Sequence, residues 1–313
     1  MIQKKLRKAR KPNVKGATQK NVSTSLDEIL PPKQKDAHGY FRTFDATKLF
    51  YSTSGSGSPV LFLYGLICSK LHWKHQIRHL KNSHQTIWMD YRGHHNSDVP
   101  NDLSSLSIES LSKDVLALLD ELQLGKVTLV AHSLGVNVAL DFAHRHPDRV
   151  EAMVLANGAA SRPLEAYIEP IAKTIQTVYN MAPKTSRQLW KLQKIVPLLT
   201  EMITLAGFNK NLVKRSDVRA FLMEAADLNF DVVMRLLDDY RKQDATAWLH
   251  TVTAPTLVIA GRKDFIIPLK QQEILAQLMP NARLEIIEHG SHCPQMDLPE
   301  LLNFKIEKFI ENN

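Results

Sequence analysis

The chain has no apolar run approaching the ~18 residues that a membrane-spanning helix requires, which excludes a helical membrane span on composition. Cysteine is scarce: Cys68 and Cys293 are the only two. That is too few for a disulfide framework; a single bridge stays open, and a reducing cytoplasm is the simpler setting. Acidic residues are missing from positions 1 to 20, which hold eight basic side chains: Lys4, Lys5, Arg7, Lys8, Arg10, Lys11, Lys15 and Lys20. The formal charge of +8 therefore belongs to this tail, since the other 32 basic residues balance the 32 acidic ones. A basicity confined to one arm excludes a nucleic-acid-binding body, and nucleic acid is not an expected partner. The tail also lacks the apolar h-region of a secretory signal and the apolar residues of an amphipathic transit helix. Disorder is expected through about residue 35, as a solvated arm with room for attraction to anionic lipid headgroups. No metal or other cofactor is expected. His72, His75 and His79 share one helical face by spacing, yet no Cys or acidic neighbour in sequence completes a zinc shell.

What is present reads as alternating strands and helices. YFRTF, KLFYSTS and PVLFLYG, the last after the Gly55-Ser56-Gly57 turn, give three strand candidates. QTIWMDYRG, VTLVAHS and VEAMVLANG follow, with helices near 108 to 123 and 134 to 145 between them. From Ala159 to about Leu249 the pattern becomes helical with no strand candidate, including the apolar stretch IVPLLTEMITLAGF. PTLVIAG, a helix near 268 to 279, ARLEIIE and a closing helix from about 299 restore the alternation. Repeated strand-helix-strand order predicts an α/β class fold, a mostly parallel eight-stranded sheet covered on both faces. The expected organisation is a basic tail (1 to 35), an α/β core (36 to 158 and 249 to 313) and an inserted helical cap (159 to 248).

In such sheets chemistry collects beyond the carboxyl ends of the strands. Three candidates sit there: Ser133 after VTLVAH, Asp264 after PTLVIAGRK, and His292 after ARLEIIEHGS. Singly they read as a helix cap, a helix N-terminal acid and a loop histidine. Together they bring a hydroxyl, a carboxylate and an imidazole to one sheet edge in the order Ser, Asp, His. A serine hydroxyl is a poor nucleophile until a histidine takes its proton and a carboxylate fixes that imidazole. The serine also needs small neighbours on a sharp strand-to-helix turn, and Ala131 and Gly135 stand two positions either side.

On these residues the sequence resembles the α/β-hydrolase superfamily, in its branch with a helical cap after the sixth strand. LFLYGLICSKLHWKHQIRHL is similar to the family's oxyanion segment, with Trp73, Gln76 and Leu80 at the usual places. MDYRGHHNSDVP is similar to its loop after the fourth strand, through Asp90, Arg92, Gly93, Ser97, Asp98 and Pro100, and HGSHCPQMDLPELL to the catalytic-histidine block. The resemblance implies Ser133 as nucleophile, His292 as general base then acid, Asp264 as orienting carboxylate, and the backbone N–H groups of Leu66 and Leu134 as oxyanion hole. Three positions depart from the pattern: Tyr64-Gly65 replaces His-Gly, Gly93-His94-His95 replaces Gly-x-Gly, and Ala131 replaces Gly. His94 and His95 read as plain loop residues.

The expected function is a serine esterase acting through an acyl-enzyme, and the partner expected is a small-molecule ester. A cap rich in Leu, Ile, Met and Phe favours an apolar or lipidic acyl group. Residues 162 to 219 carry ten basic side chains against Glu165, Glu169, Glu201 and Asp217. With the tail, this leaves room for work at an anionic membrane surface from a cytoplasmic location. Carbon–carbon bond hydrolase, lactonase, amidase and cofactor-free peroxidase-like activities keep the same serine and stay open, as does a ligand sensor on this scaffold. Dehalogenases and epoxide hydrolases of the superfamily use an aspartate nucleophile, against which Ser133 argues.

Overall fold

Burial on both faces marks the centre of the sheet, where every residue of Val127–His132 is buried. A computed structural model of the chain describes residues 36–164, 168–192 and 207–313. The basic tail and most of IVPLLTEMITLAGF lie outside the described residues. In chain order the core elements are β1 (Ala37–Arg42), β2 (Lys48–Ser54), β3 (Pro59–Leu63), α1 (Lys74–Leu80), β4 (Gln85–Met89), α2 (Ile108–Glu121), β5 (Val127–His132), α3 (Leu134–Arg145) and β6 (Val150–Ala156). Between β6 and the next strand lie α4 (Glu169–Met181), α5 (Pro183–Leu192), α6 (Arg215–Asp227) and α7 (Phe230–Tyr240). The chain then returns through β7 (Thr256–Gly261), α8 (Leu269–Leu278), β8 (Ala282–Ile287), α9 (Pro294–Asp297) and α10 (Pro299–Ile310).

The eight strands make one sheet in the order β1-β2-β4-β3-β5-β6-β7-β8. β2 runs antiparallel to both β1 and β4, and every other pairing is parallel. This is the mostly parallel sheet that the alternating pattern predicts. The first strand falls earlier than its sequence pattern because the chain turns after Arg42: Ala46 N–H donates to Thr43 O at 2.9 Å, with Ala46 at φ 63°.

The flanking helices follow from their apolar spacing. In α2, Ile108, Leu111, Val115, Leu118 and Leu119 form one buried stripe, and Ser107 starts the helix by accepting from Ser110 N–H at 3.2 Å. α3 is buried almost throughout, in keeping with its place against β5, β3 and β6. Truncating a core side chain such as Leu61, Val130 or Leu155 to alanine-sized volume costs on the order of 2–5 kcal/mol in such settings. The functional consequence lies in the strand order: β3, β5, β6, β7 and β8 are consecutive neighbours, so the loops leaving their carboxyl ends converge on one edge.

Candidate active site

Ser133 directly follows β5 and precedes α3, at φ 55° and ψ −123°. That conformation is rare for a residue with a Cβ, so the surroundings must hold it. Its side chain makes no capping bond to α3, which removes the helix-cap reading. Gly135 shows why the turn is so tight: a Cβ there would lie 2.6 Å from Leu63 O and 2.8 Å from Tyr64 O, backbone atoms that cannot yield. At position 131, one methyl is accommodated in full burial.

The structure brings the three sequence candidates together. His292 Nδ1 lies 2.9 Å from Asp264 Oδ2, and its Nε2 lies 3.1 Å from Ser133 Oγ. With Nδ1–H donating to the carboxylate, Nε2 is left to accept from the serine hydroxyl. Asp264 is held in turn: its Oδ1 accepts from Ile266 N–H at 2.8 Å and Ile267 N–H at 2.9 Å. The His292 loop is anchored by Asp297, whose Oδ2 accepts from Ser291 N–H at 2.8 Å and whose Oδ1 accepts from Asn209 N–H at 2.9 Å. Burial raises the Asp297 pKa despite these bonds.

The segment after β3 runs beside the serine. Gly65 abuts it so closely that an added Cβ would sit 3.2 Å from Ser133 Cβ and 3.2 Å from Cys68 Sγ. Neither Leu66 N–H nor Leu134 N–H donates to any described residue, which leaves two backbone donors flanking the Ser133 turn. Trp73 and Gln76 fix this segment from behind, Nε1–H donating to Leu63 O at 3.2 Å and Nε2–H to Gln295 O at 3.3 Å.

Two of the three departures from the family pattern prove to be structural fastenings. Tyr64 is fully buried; its hydroxyl accepts from Tyr91 N–H at 2.8 Å, while Tyr91 O–H donates to Tyr64 O at 3.1 Å. His94 and His95, read from sequence as plain loop residues, reach across to the segment after β3. His94 Nε2–H donates to Leu66 O at 2.7 Å and His95 Nε2–H to Cys68 O at 3.0 Å. Burial lowers the His94 pKa to about 4, so the ring is a neutral single donor near pH 7. His95 stands at φ 44°, a left-handed conformation that glycine would adopt without strain. The loop bearing both histidines is held by the buried Arg92, whose Nε–H donates to Asp114 Oδ2 at 2.7 Å and whose Nη1–H donates to Asp45 Oδ2 at 2.9 Å.

The histidines with helical spacing diverge. His72 is buried against Phe208 and Phe221, His75 lies 3.8 Å from Asp217, and His79 lies 3.0 Å from Glu307. Among the described residues no group of His, Cys, Asp and Glu is arranged to hold a metal ion. Cys68 and Cys293 are free, buried thiols; burial pushes Cys68 up to about 12 and raises Cys293 as well. Neither is a nucleophile near neutral pH.

A family model described as "alpha/beta hydrolase fold" matches residues 58–299. The chain belongs to the alpha/beta hydrolase family. An uncharacterized protein of Mycobacterium tuberculosis is 26% identical over 311 residues, covering 91% of this chain and 83% of the relative. Epoxide hydrolase 2 of Caenorhabditis elegans is 23% identical over 286 residues, 82% of this chain and 75% of that protein. Among solved structures, a thermophilic esterase from Thermogutta terrifontis superposes with a TM-score of 0.72 at 22% identity, over 88% of this chain and 98% of the esterase.

Two residues of this hydrolase-fold chain escaped the sequence reading. Asn157, directly after β6, is fully buried at φ 50°. Its Nδ2–H donates to Ser291 O at 2.6 Å and its Oδ1 accepts from Gly261 N–H at 3.0 Å, so one side chain ties the loop of Asp264 to the loop of His292. Tyr240, the last residue of α7, is buried with its hydroxyl near Ser133 but in no hydrogen bond of good geometry. Burial raises its pKa, the Ser133 hydroxyl lowers it by a smaller amount, and the Asp264 charge raises it further, so it stays a protonated donor. No sequence motif marks either residue; an Asn after a strand and a Tyr ending an amphipathic helix are ordinary.

Proposed function

We propose that the chain is a serine hydrolase of carboxylic esters, with Ser133, His292 and Asp264 as its catalytic triad. The observation that carries this reading is the bridging of His292 between Asp264 and a serine held at φ 55° outside the helix it precedes. In the proposed reaction Ser133 Oγ attacks the ester carbonyl as His292 Nε2 takes its proton, and Asp264 stabilises the resulting imidazolium. The N–H groups of Leu66 and Leu134 receive the oxyanion; one such donor is worth about 3 kcal/mol in comparable sites. His292 then protonates the departing alcohol, forming the acyl-serine. Water, deprotonated by His292, attacks that ester; collapse of the second tetrahedral intermediate releases the acid and returns the proton to Ser133.

Tyr240 enters this reading as a donor from the helical insertion. Its unpartnered hydroxyl beside Ser133 is in place to donate to an oxygen of the bound ester. The same insertion supports an apolar acyl group. Leu228, Phe230, Val233 and Met234 form an apolar cluster against which Ile67, the neighbour of Leu66, packs. Tyr240 and this cluster bring the insertion to the site, and we assign residues 159 to 248 the role of a cap.

A panel of p-nitrophenyl esters from acetate to laurate tests the proposal. Hydrolysis is expected with kcat/KM rising from acetate toward the medium chains. Ser133→Ala is expected to lose at least about 10³-fold in kcat, the scale on which serine triads fail without their nucleophile. Undiminished hydrolysis by Ser133→Ala would overturn it.

A further inference from the structure

α4 is built inside out. An amphipathic helix of a globular protein turns its apolar stripe toward the core, yet Ala172 is the one buried residue of α4. Its large apolar side chains face solvent at helical spacing: Ile171 is 56% exposed, Ile175 43%, Val178 49% and Met181 81%. The adjoining α5 leaves Leu189 and Leu192 exposed as well. Contiguous apolar surface of this kind marks a place where something binds.

The charge on this helix pair is mostly of one sign: Glu169, the first residue of α4, is held by Arg241. From Pro170 to Leu192 the chain carries Lys173, Lys184, Arg187 and Lys191 and neither Asp nor Glu. Lys184, Arg187 and Lys191 recur at i, i+3 and i+7, which places them on one face of α5, and all three are exposed. Arg187 also pairs with Asp231 of α7 at 2.8 Å. An apolar helical stripe accompanied by an excess of exposed cations has the chemistry of an element that lies in the headgroup layer of an anionic bilayer.

We propose that the α4–α5 face docks on an anionic lipid surface, the apolar stripe of α4 entering the boundary between headgroups and acyl chains. This deepens the esterase reading, and rests on it for the substrate: an apolar ester is presented by the membrane on which the insertion sits. α4 also packs on the helix that carries Tyr240 to the site. Tyr179 of α4 packs edge-on against Phe230 at 5.5 Å and donates to Asp231 Oδ1 at 2.6 Å, both at the start of α7, the helix whose last residue is Tyr240.

The test is flotation of the full-length chain with vesicles of phosphatidylcholine containing 30 mol% phosphatidylserine, and with phosphatidylcholine alone. Wild type is expected to partition at least tenfold more strongly to the anionic vesicles. Ile175→Glu/Val178→Glu and, separately, Lys184→Glu/Lys191→Glu are each expected to lose at least tenfold of that binding. Both are exposed-surface changes, so hydrolysis of soluble p-nitrophenyl acetate is the control for an intact fold. Equal partitioning of wild type and both variants overturns the proposal, as does a wild type that stays unbound. A wild-type dimer that either variant converts to monomer, with no vesicle binding, assigns the face to a second copy and also overturns it. Vesicle binding by a wild type that hydrolyses no ester supports docking while the esterase reading fails, so the two are separable.

Discussion

Ser133 and Tyr240 meet from opposite sides of the site, one forced into place by backbone and the other delivered by a helix. Ser133 is held because Gly135 allows α3 to touch the end of β3. Tyr240 brings a buried hydroxyl beside Ser133, which the proposed reaction uses as a donor to a substrate oxygen. Tyr240→Phe is expected to lower kcat about tenfold, the effect of about 1.4 kcal/mol of lost transition-state stabilisation, while KM changes by less than about threefold. Steady-state kinetics on the preferred p-nitrophenyl ester checks this. An unchanged kcat would reduce Tyr240 to a packing residue.

At the scale of elements, the site is an agreement among five strand ends, and Asn157 is the peg between two of them. Asn157→Ala would leave Gly261 N–H and Ser291 C=O unpaired in a buried setting, at roughly 1–3 kcal/mol each. Alanine at φ 50° adds strain. The expected outcome is a loss of about 3 kcal/mol in urea-unfolding stability, with kcat reduced at least tenfold at temperatures where the variant stays folded. Stability lost with kcat intact would show that alignment of His292 with Asp264 does not depend on this side chain.

Much of this scale was legible in the sequence. β-branched and apolar runs such as VTLVAH and TLVIAG read as buried parallel strands, and a chemical residue just past each strand announced the edge. What was not legible depends on contacts between distant loops. Nothing local in GHHNS says that two imidazoles grip the carbonyls of Leu66 and Cys68. Nothing in LYGL says that a tyrosine hydroxyl will serve the N–H of Tyr91. The inverted exposure of α4 was equally hidden, because periodicity reports a stripe and not the direction in which it faces.

At the scale of the whole molecule, buried imidazoles set the acid response. Burial, then the neighbouring histidines His292 and His95, lower His72 to about 3; burial lowers His94 to about 4; burial, then His292 and His72, lower His132 well below its ordinary value. The unfolded chain protonates all three near pH 6.5. Stability is therefore fully present above that value and falls as pH drops toward the folded pKa values, by about 1.4 kcal/mol per pH unit for each histidine. The raised pKa values of buried Asp90, Asp114 and Asp297 act in the opposite sense, because the folded state takes up those protons first. They offset part of the loss as pH falls through their raised folded-state values. Urea midpoints at pH 7.5, 6.5, 5.5 and 5.0 are expected to be level at first and then to fall steeply; a midpoint constant from 7.5 to 5.0 would contradict this.

The central claim is that Ser133 is an activated nucleophile. Treatment of the folded chain with a fluorophosphonate probe, followed by intact-mass and peptide mapping, measures this directly. The account predicts one adduct per chain, located on Ser133 and absent from Ser133→Ala. Folded wild type that takes up no label, or takes it up elsewhere, would contradict it.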